Sequence, residues 1–226
     1  RACAWSPDGR WLLSGGLDGT LRVWDGQSGE GRLTLRGHEH GVVACAWSPD
    51  GRWLLSGGDD GTLRVWNGQS GEGRLTLRGH ERGVNACAWS PDGRWALSGG
   101  WDGTLRVWDA QSGEWRLTLR GHAGWVHACA WSPDGRWLLS GGSDGTLRVW
   151  DAQSGELVRV HAVAGVGQRG HAVWDPREQR VIEAEGDAWR WLRWSVPGPD
   201  GRLESLPAET YGPLPAPRWL REVASP

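Results

Sequence analysis

The chain has no lysine, no phenylalanine, no methionine and a single tyrosine. Histidine apart, its basic side chains are therefore all arginine, and tryptophan, present 20 times, supplies nearly all of the aromatic packing. That bias suits a protein from a GC-rich, bacterial genome. No stretch approaches the ~20 consecutive apolar residues of a membrane span, and no signal peptide is readable, so a cytoplasmic protein without a membrane partner is expected. A net charge of −2 provides no field for nucleic acid. The chain opens on Arg-Ala-Cys-Ala-Trp, already a strand pattern and without an initiator methionine. This reads as the C-terminal piece of a larger multidomain protein, begun partway through a repeat. At 226 residues it can still bury a substantial core.

What is present is a repeat. Cys3, Cys45, Cys87 and Cys129 recur at a spacing of 42 residues, as do the Ser-Pro-Asp-Gly runs that start at Ser6, Ser48, Ser90 and Ser132. Such a period marks stacked units, none of which can bury its apolar faces alone. In the copy from Gly79 to Asp109, Ala86–Trp89 reads as a first strand. Ser90-Pro91-Asp92-Gly93 is a tight turn, with proline presetting φ at its second position. Residues 94–99 and 104–108 are further strands joined at Asp102-Gly103, and Arg116–Arg120 alternates polar and apolar residues like a half-exposed outer strand. Each cysteine holds the same slot of a different unit and no Cys-x-x-Cys pair exists, so free, buried thiols are expected rather than disulfides.

The Gly-His pair, the Ser-Pro-Asp-Gly turn, the Asp-Gly turn and the closing Trp-Asp, each at this spacing, resemble the WD-repeat β-propeller family. The pattern covers residues 1 to about 156 four times over, with Asn67 replacing aspartate in one Trp-Asp pair and no Gly-His ahead of the first copy. The resemblance implies an all-β fold of four regular four-stranded blades, with the WD repeats at 1–156 and residues 157–206 holding the end of blade four (its outer strand at 157–160) and a degenerate fifth, either closed as a ring of five or left incomplete. In the fifth, residues 172–176 echo the first strand, 180–184 the second, Asp187 the turn, 189–194 a long third strand and 202–206 the outer one. Residues 207–226 form a proline-rich tail.

Three copies repeat a set that invites a hydrolase reading: His38, Ser56, Asp60 and Trp66; His80, Ser98, Asp102 and Trp108; His122, Ser140, Asp144 and Trp150. The resemblance implies instead a structural hydrogen-bond network, running from indole to serine to histidine to aspartate inside each blade. Three identical triads suit a scaffold better than an enzyme, and no Gly-x-Ser-x-Gly elbow accompanies the serine. No catalytic residue is expected. The glycine pairs 15–16, 57–58, 99–100 and 141–142 lead into strands, not helices, so they read as turns of unusual φ rather than phosphate cradles. His127 and Cys129 lie on one strand face without a third ligand nearby, so neither metal nor cofactor is expected.

The residues that break the repetition carry the functional reading. The first three copies differ at nine of 42 positions. One slot holds Arg1, Val43, Asn85 and His127; another, before the turn aspartate, holds Leu17, Asp59, Trp101 and Ser143. A third follows Gly-His, at His40-Gly41, Arg82-Gly83 and Gly124-Trp125, and a fourth opens the outer strand at Gly31, Gly73 and Trp115. By resemblance the first three slots share the face with which such proteins grip partners. Leu17, Asp59, Arg82, Asn85, Trp101, Trp125, His127 and Ser143 are the candidate partner-binding residues, since tryptophan is an over-represented interface anchor. The alternative is relaxed constraint on exposed loops. The expected function is a non-catalytic protein-recognition module, a scaffold or sensor domain with a protein partner. The rivals are a self-assembling architectural module, which would form homo-oligomers or pack on further blades, and, more remotely, an enzymatic propeller.

Overall fold

Residues 2–163, 170–177, 180–186, 193–197 and 203–207 are described by the computed structural model, and every regular element among them is a β-strand. The chain divides into two compact units, Arg1–Asp144 with Trp150–Glu156, and Gly145–Val149 with Leu157–Pro226. In the first unit, blade one comprises β1 (Ala2–Trp5), β2 (Trp11–Gly15), β3 (Thr20–Asp25) and β4 (Gly31–Arg36). Blade two comprises β5 (Val42–Trp47), β6 (Trp53–Gly58), β7 (Thr62–Asn67) and β8 (Gly73–Arg78). Blade three comprises β9 (Val84–Trp89), β10 (Trp95–Gly100), β11 (Thr104–Asp109) and β12 (Trp115–Arg120). Each is an antiparallel sheet paired in sequence order. The fourth copy supplies β13 (Val126–Trp131), β14 (Trp137–Gly142), β15 (Thr146–Asp151) and β16 (Leu157–Val163) at the same slots, with β13 and β14 antiparallel.

Alternation along the strands gives every blade two apolar faces. Leu54 and Leu55 are neighbours in β6 and serve different cores. Leu54 joins Val42, Trp47 and Trp66 against Leu13, Leu21, Val23 and Leu35 of blade one. Leu55 joins Leu63, Val65 and Leu77 against Val84, Trp89, Ala96 and Trp108 of blade three. First strands lie side by side, β1 on β5, β5 on β9 and β9 on β13. The glycine of each second strand permits this approach: a Cβ on Gly57 would lie 2.7 Å from Val84 Cγ1.

The turns follow from their residues. In Ser48-Pro49-Asp50-Gly51 the Ser48 Oγ donates to Asp50 Oδ1 at 2.6 Å, Gly51 N–H donates to Ser48 O, and Gly51 has φ 68°. Asn67 replaces aspartate without loss. Its Oδ1 accepts from Gln69 N–H (2.8 Å) and Ser70 N–H (2.9 Å), as Asp109 Oδ1 does from Gln111 and Ser112. The turn needs an acceptor oxygen, not a charge.

The glycine pairs differ from expectation. Residues 15–16, 57–58, 99–100 and 141–142 all lack a positive φ, which belongs to glycines such as Gly61 in the Asp-Gly turns. Close packing selects them: a Cβ on Gly58 would sit 2.5 Å from His38 Nδ1. The cysteines are free, but only half-buried, and Cys3 is exposed. Burial still pushes the Cys45 thiol up to about 12.

In the second unit β16 pairs with β17 (Gly170–Asp175), and β17 with β18 (Arg180–Gly186), while β19 (Arg193–Pro197) and β20 (Leu203–Pro207) form a separate hairpin. Strands thus occur where the degenerate fifth copy was expected, but they do not assemble into one four-stranded sheet. The Leu-Val-Arg-Val-His-Ala-Val run carries β16 beyond Val160, and that edge takes β17. The expected turn at Asp187 and the tail beyond residue 207 lie outside the described residues.

Burial at one slot depends on which blade holds it. Leu13, Leu55 and Leu97 are fully buried, whereas Leu139 is 42% exposed. Leu97→Ala should therefore cost about 2–5 kcal/mol, and Leu139→Ala less than half as much. Urea denaturation of the two variants measures the difference, and equal losses would refute it.

Candidate functional site

Two side-chain systems meet at the loop edge of the blades. The inner one joins His38, Ser56, Asp60 and Trp66. Asp60 only accepts, so His38 Nδ1–H donates to it (2.9 Å to Oδ2) and His38 Nε2 accepts from Ser56 Oγ at 2.8 Å. Ser56 Oγ in turn accepts from Trp66 Nε1–H at 2.8 Å. Asp60 also receives Glu39 N–H at 3.0 Å and the Thr62 hydroxyl at 2.7 Å, which ties the Gly-His loop to β6 and β7.

The set recurs in the other copies. His80 meets Asp102 at 2.9 Å and Ser98 at 2.8 Å, with Trp108 on Ser98. His122 meets Asp144 at 3.0 Å and Ser140 at 2.8 Å, with Trp150 on Ser140. The serine side chains are closed to solvent, with Ser56 and Ser98 fully buried. A hydroxyl enclosed in this way, already bonded to an indole, can orient its neighbours but cannot meet a substrate.

Burial of the His38 ring is the largest influence on it and lowers its pKa, against the opposing pull of the Asp60 charge. Burial also acts on Asp60, but the Thr62 hydroxyl and the Thr62 and Glu39 amides outweigh it and hold the carboxyl at about 2. The arrangement is a neutral imidazole donating to a carboxylate.

The outer system consists of the residues that differ between copies, three of which directly precede a turn aspartate of the inner one. Asp59, Trp101 and Ser143 precede the turn aspartates, and their amides donate to Gly41 O, Gly83 O and Trp125 O at 2.8–2.9 Å. These bonds bring the slot before the turn and the slot after Gly-His onto one face. Trp101 and Trp125, 24 residues apart, stack with ring centroids at 5.4 Å, and His127 meets the Trp125 edge at 6.2 Å. Trp125 is 47% exposed and Leu17 63%, while Trp101 is half-buried beneath its partner. Arg82 and His127 are exposed. Asp59 Oδ1 is buried without a hydrogen-bond partner. Ser143 Oγ accepts from Trp125 N–H at 2.9 Å. Asn85 is turned inward: its amide donates to Val126 O at 3.2 Å, bridging blades three and four.

Sequence reasoning missed two features. Val43, Asn85 and His127 are the unpaired residues of β-bulges, as the register of β9 on β10 steps from Ala86↔Gly99 to Val84↔Gly100. A bulge re-aims a side chain, which explains why this slot tolerates any residue type. The second feature lies at the opposite edge, where outer-strand arginines stack on second-strand tryptophans: Arg32 on Trp11 at 4.2 Å, Arg74 on Trp53 at 4.4 Å and Arg116 on Trp95 at 4.5 Å. These stacks border inter-blade cavities of about 510, 470 and 430 Å³. The repeated Gly-Arg-Trp and Arg-Leu-Thr-Leu-Arg runs contain the signal, but only knowledge of which strands face each other exposes it. Among the described residues, no three His, Cys, Asp or Glu side chains converge as a metal site would require.

A family model described as WD domain, G-beta repeat, matches residues 1–25, 29–67, 71–109 and 113–151. Comparison with curated proteins finds no match.

Two outcomes follow from the inner system. His80→Ala leaves the Ser98 hydroxyl without its acceptor and takes one of several donors from the Asp102 carboxylate, so it should lower stability by about 1–3 kcal/mol; chemical denaturation reads this. The pH dependence has a definite sign. Both titratable members of the second blade's hydrogen-bond chain, His38 and Asp60, have depressed values when folded, so there the unfolded chain binds more protons and stability rises with pH. Acidification should begin to weaken the fold below about pH 6.5, where unfolded histidine protonates, and weaken it further from about pH 4 downward as Asp60 is titrated towards about 2. Urea midpoints across pH 3–8 test it, and a midpoint that rises on acidification would contradict it.

Proposed function

The chain belongs to the WD-repeat family, and from that premise we propose that it is a non-catalytic recognition module whose loop face, centred on Trp101 and Trp125, grips a protein partner. WD repeats generally mediate protein–protein interaction or scaffolding. The observation that supports this surface is the stacked, half-open tryptophan pair, built from two copies at slots that elsewhere hold Leu17, Asp59, Ser143, Gly41 and Gly83. Nothing in the blade requires indoles there, since Asp59 N–H donates to Gly41 O in the same way with neither slot holding a tryptophan. A rigid aromatic platform within a rim of Arg82, His127 and Asp59 has the make-up of a hot spot: little conformational entropy to lose, apolar area to cover and polar groups to register the partner. In this reading the module is the scaffold or sensor part of a larger cytoplasmic, bacterial protein.

The rival reading is self-assembly through blade faces. Trp5 is 57% exposed, although its slot-mates Trp47 and Trp89 are each 8% exposed against a preceding blade. The two readings predict different losses. Trp101→Ser with Trp125→Gly removes a pair worth about 0.5–1.5 kcal/mol beyond its area, so the blades should remain folded. Partner binding should fall at least tenfold, since truncating an interface anchor costs about 2 kcal/mol or more. Pull-downs from the source cell with native and doubly substituted protein compare them. Identical captured partners would place recognition elsewhere, and an oligomer abolished by a charge at Trp5 would favour self-assembly.

A further inference from the structure

The turn that closes β7 is the one copy in which a side-chain amide precedes a glycine. Asparagine occurs only as Asn67-Gly68 and Asn85-Ala86, and the slots of Asn67-Gly68 elsewhere hold Asp25-Gly26, Asp109-Ala110 and Asp151-Ala152. An asparagine before glycine carries its own nucleophile. With no Cβ on the next residue, that residue's backbone nitrogen can approach the side-chain carbonyl carbon unhindered. The fold holds both reactants still. Asn67 Oδ1 accepts from Gln69 N–H at 2.8 Å and Ser70 N–H at 2.9 Å, which fixes the amide over the turn. Gly68 is buried, and its N–H donates to Arg52 O at 2.8 Å, so the nitrogen that would attack is tied to the loop ahead of β6.

The other copies show what the turn accepts in place of the amide. Asp109 Oδ1 takes the Gln111 and Ser112 amides at 2.8 and 2.9 Å, and Asp25 Oδ1 those of Gln27 and Ser28 at 2.9 and 2.8 Å. The Ser28 and Ser112 amides are the largest influence holding these two carboxyls below the usual carboxylate range. An aspartate therefore sits in this turn in its charged form.

We propose that Asn67 is a self-modification site gated by the fold: when blade two opens, Asn67 deamidates, and only the aspartate product closes the turn again. Released from Arg52 O, the Gly68 nitrogen gives up its proton and attacks Asn67 Cγ. The new N–C bond closes a cyclic imide as the Cγ–Nδ2 bond breaks, and the amide nitrogen leaves as ammonia with that proton. Water then opens the imide at either carbonyl. Opening at Cγ gives aspartate on an unchanged backbone. Opening at the backbone carbonyl gives isoaspartate, whose extra backbone methylene pulls the Gly68 N–H away from Arg52 O. Conversion also alters the cavity of about 510 Å³ between blades one and two, which Asn67 lines with Arg10, Arg32 and Arg52 against Asp8 and Asp50. A carboxylate at position 67 cancels the surplus positive charge there.

The test incubates the 226-residue chain at mildly alkaline pH, folded and across a urea series, and maps its peptides by mass spectrometry. The folded chain reacts only through its open fraction, so the unfolded chain should convert Asn67 at least tenfold faster, with the rate tracking the unfolded fraction between. Asn85, which precedes alanine, is the internal control and should keep its amide over the same period. Once urea is removed, chains with aspartate at 67 should regain the native resistance to protease, and those with isoaspartate should not. The Asn67→Asp chain should unfold at a urea concentration no lower than the native chain. Equal rates in the folded and unfolded chain, loss of amide no faster at Asn67 than at Asn85 in urea, or a lower midpoint for Asn67→Asp would overturn the proposal.

Discussion

A four-stranded antiparallel sheet whose two faces are both apolar cannot stand alone in water, and everything else in this chain depends on that constraint. Leu55, Leu63, Val65 and Leu77 on one face of blade two, and Val42, Trp47, Leu54 and Trp66 on the other, must be covered by neighbours. At about 25 cal/mol per Å² of apolar surface, stacking is the dominant favourable term, and the turns and loops have only to leave it undisturbed. This explains the choice of glycine at position 57, where any side chain would push Val84 and its blade away. It also explains why cysteine and alanine occupy the first strands, where blades approach most closely.

The hydrogen-bond chain does a second job, which hydrophobic packing cannot perform because it has no direction. His38 is held from two sides, by Ser56 and Asp60, and the loop that bears it is thereby fixed to the middle of the next sheet. Every partner in the chain is satisfied, and each would be costly to strand at this depth. The variable residues adjoin this fixed set: Asp59 precedes Asp60, Trp101 precedes Asp102, Ser143 precedes Asp144. Side chains can change freely there because the backbone beneath them is determined by the neighbouring residue. A rigid first layer carrying an interchangeable second layer is what a recognition surface requires.

Much of this is legible in the sequence, for a reason that can be stated. Ser-Pro-Asp-Gly and Asp-Gly describe local backbone geometry, and local geometry is written in adjacent residues. The members of the hydrogen-bond chain are legible through the resemblance to WD repeats, and their threefold recurrence speaks only against catalysis. What could not be read is whatever depends on two copies meeting. The Trp101–Trp125 stack joins slots 24 residues apart in different blades, and the inward turn of Asn85 depends on the neighbouring strand's Val126 carbonyl. The glycine pairs were misread because glycine has two uses, a positive φ and a missing Cβ, and sequence alone does not say which is in force. Beyond residue 157 the first strand pairs with the second and the third with the outer one, as a fifth copy requires, but the third is described only from Arg193 and β16 also takes β17, since an edge strand takes whichever neighbour the chain brings to it.

Near-identity between copies has a further physical consequence. Leu97 and Leu139 hold the same slot and differ in exposure from 0% to 42%, as Trp47 and Trp5 do from 8% to 57%. Since the residues are the same, the difference comes entirely from the neighbour. The faces are therefore interchangeable: the surface that accepts blade two on blade one is chemically the surface that accepts blade three on blade two. Sequences of this kind carry little negative design against the wrong blade pairing. What distinguishes one blade from another is confined to a few slots, among them those of Trp101 and Trp125. Identity is thus encoded in the loops, while the strands encode only the capacity to stack.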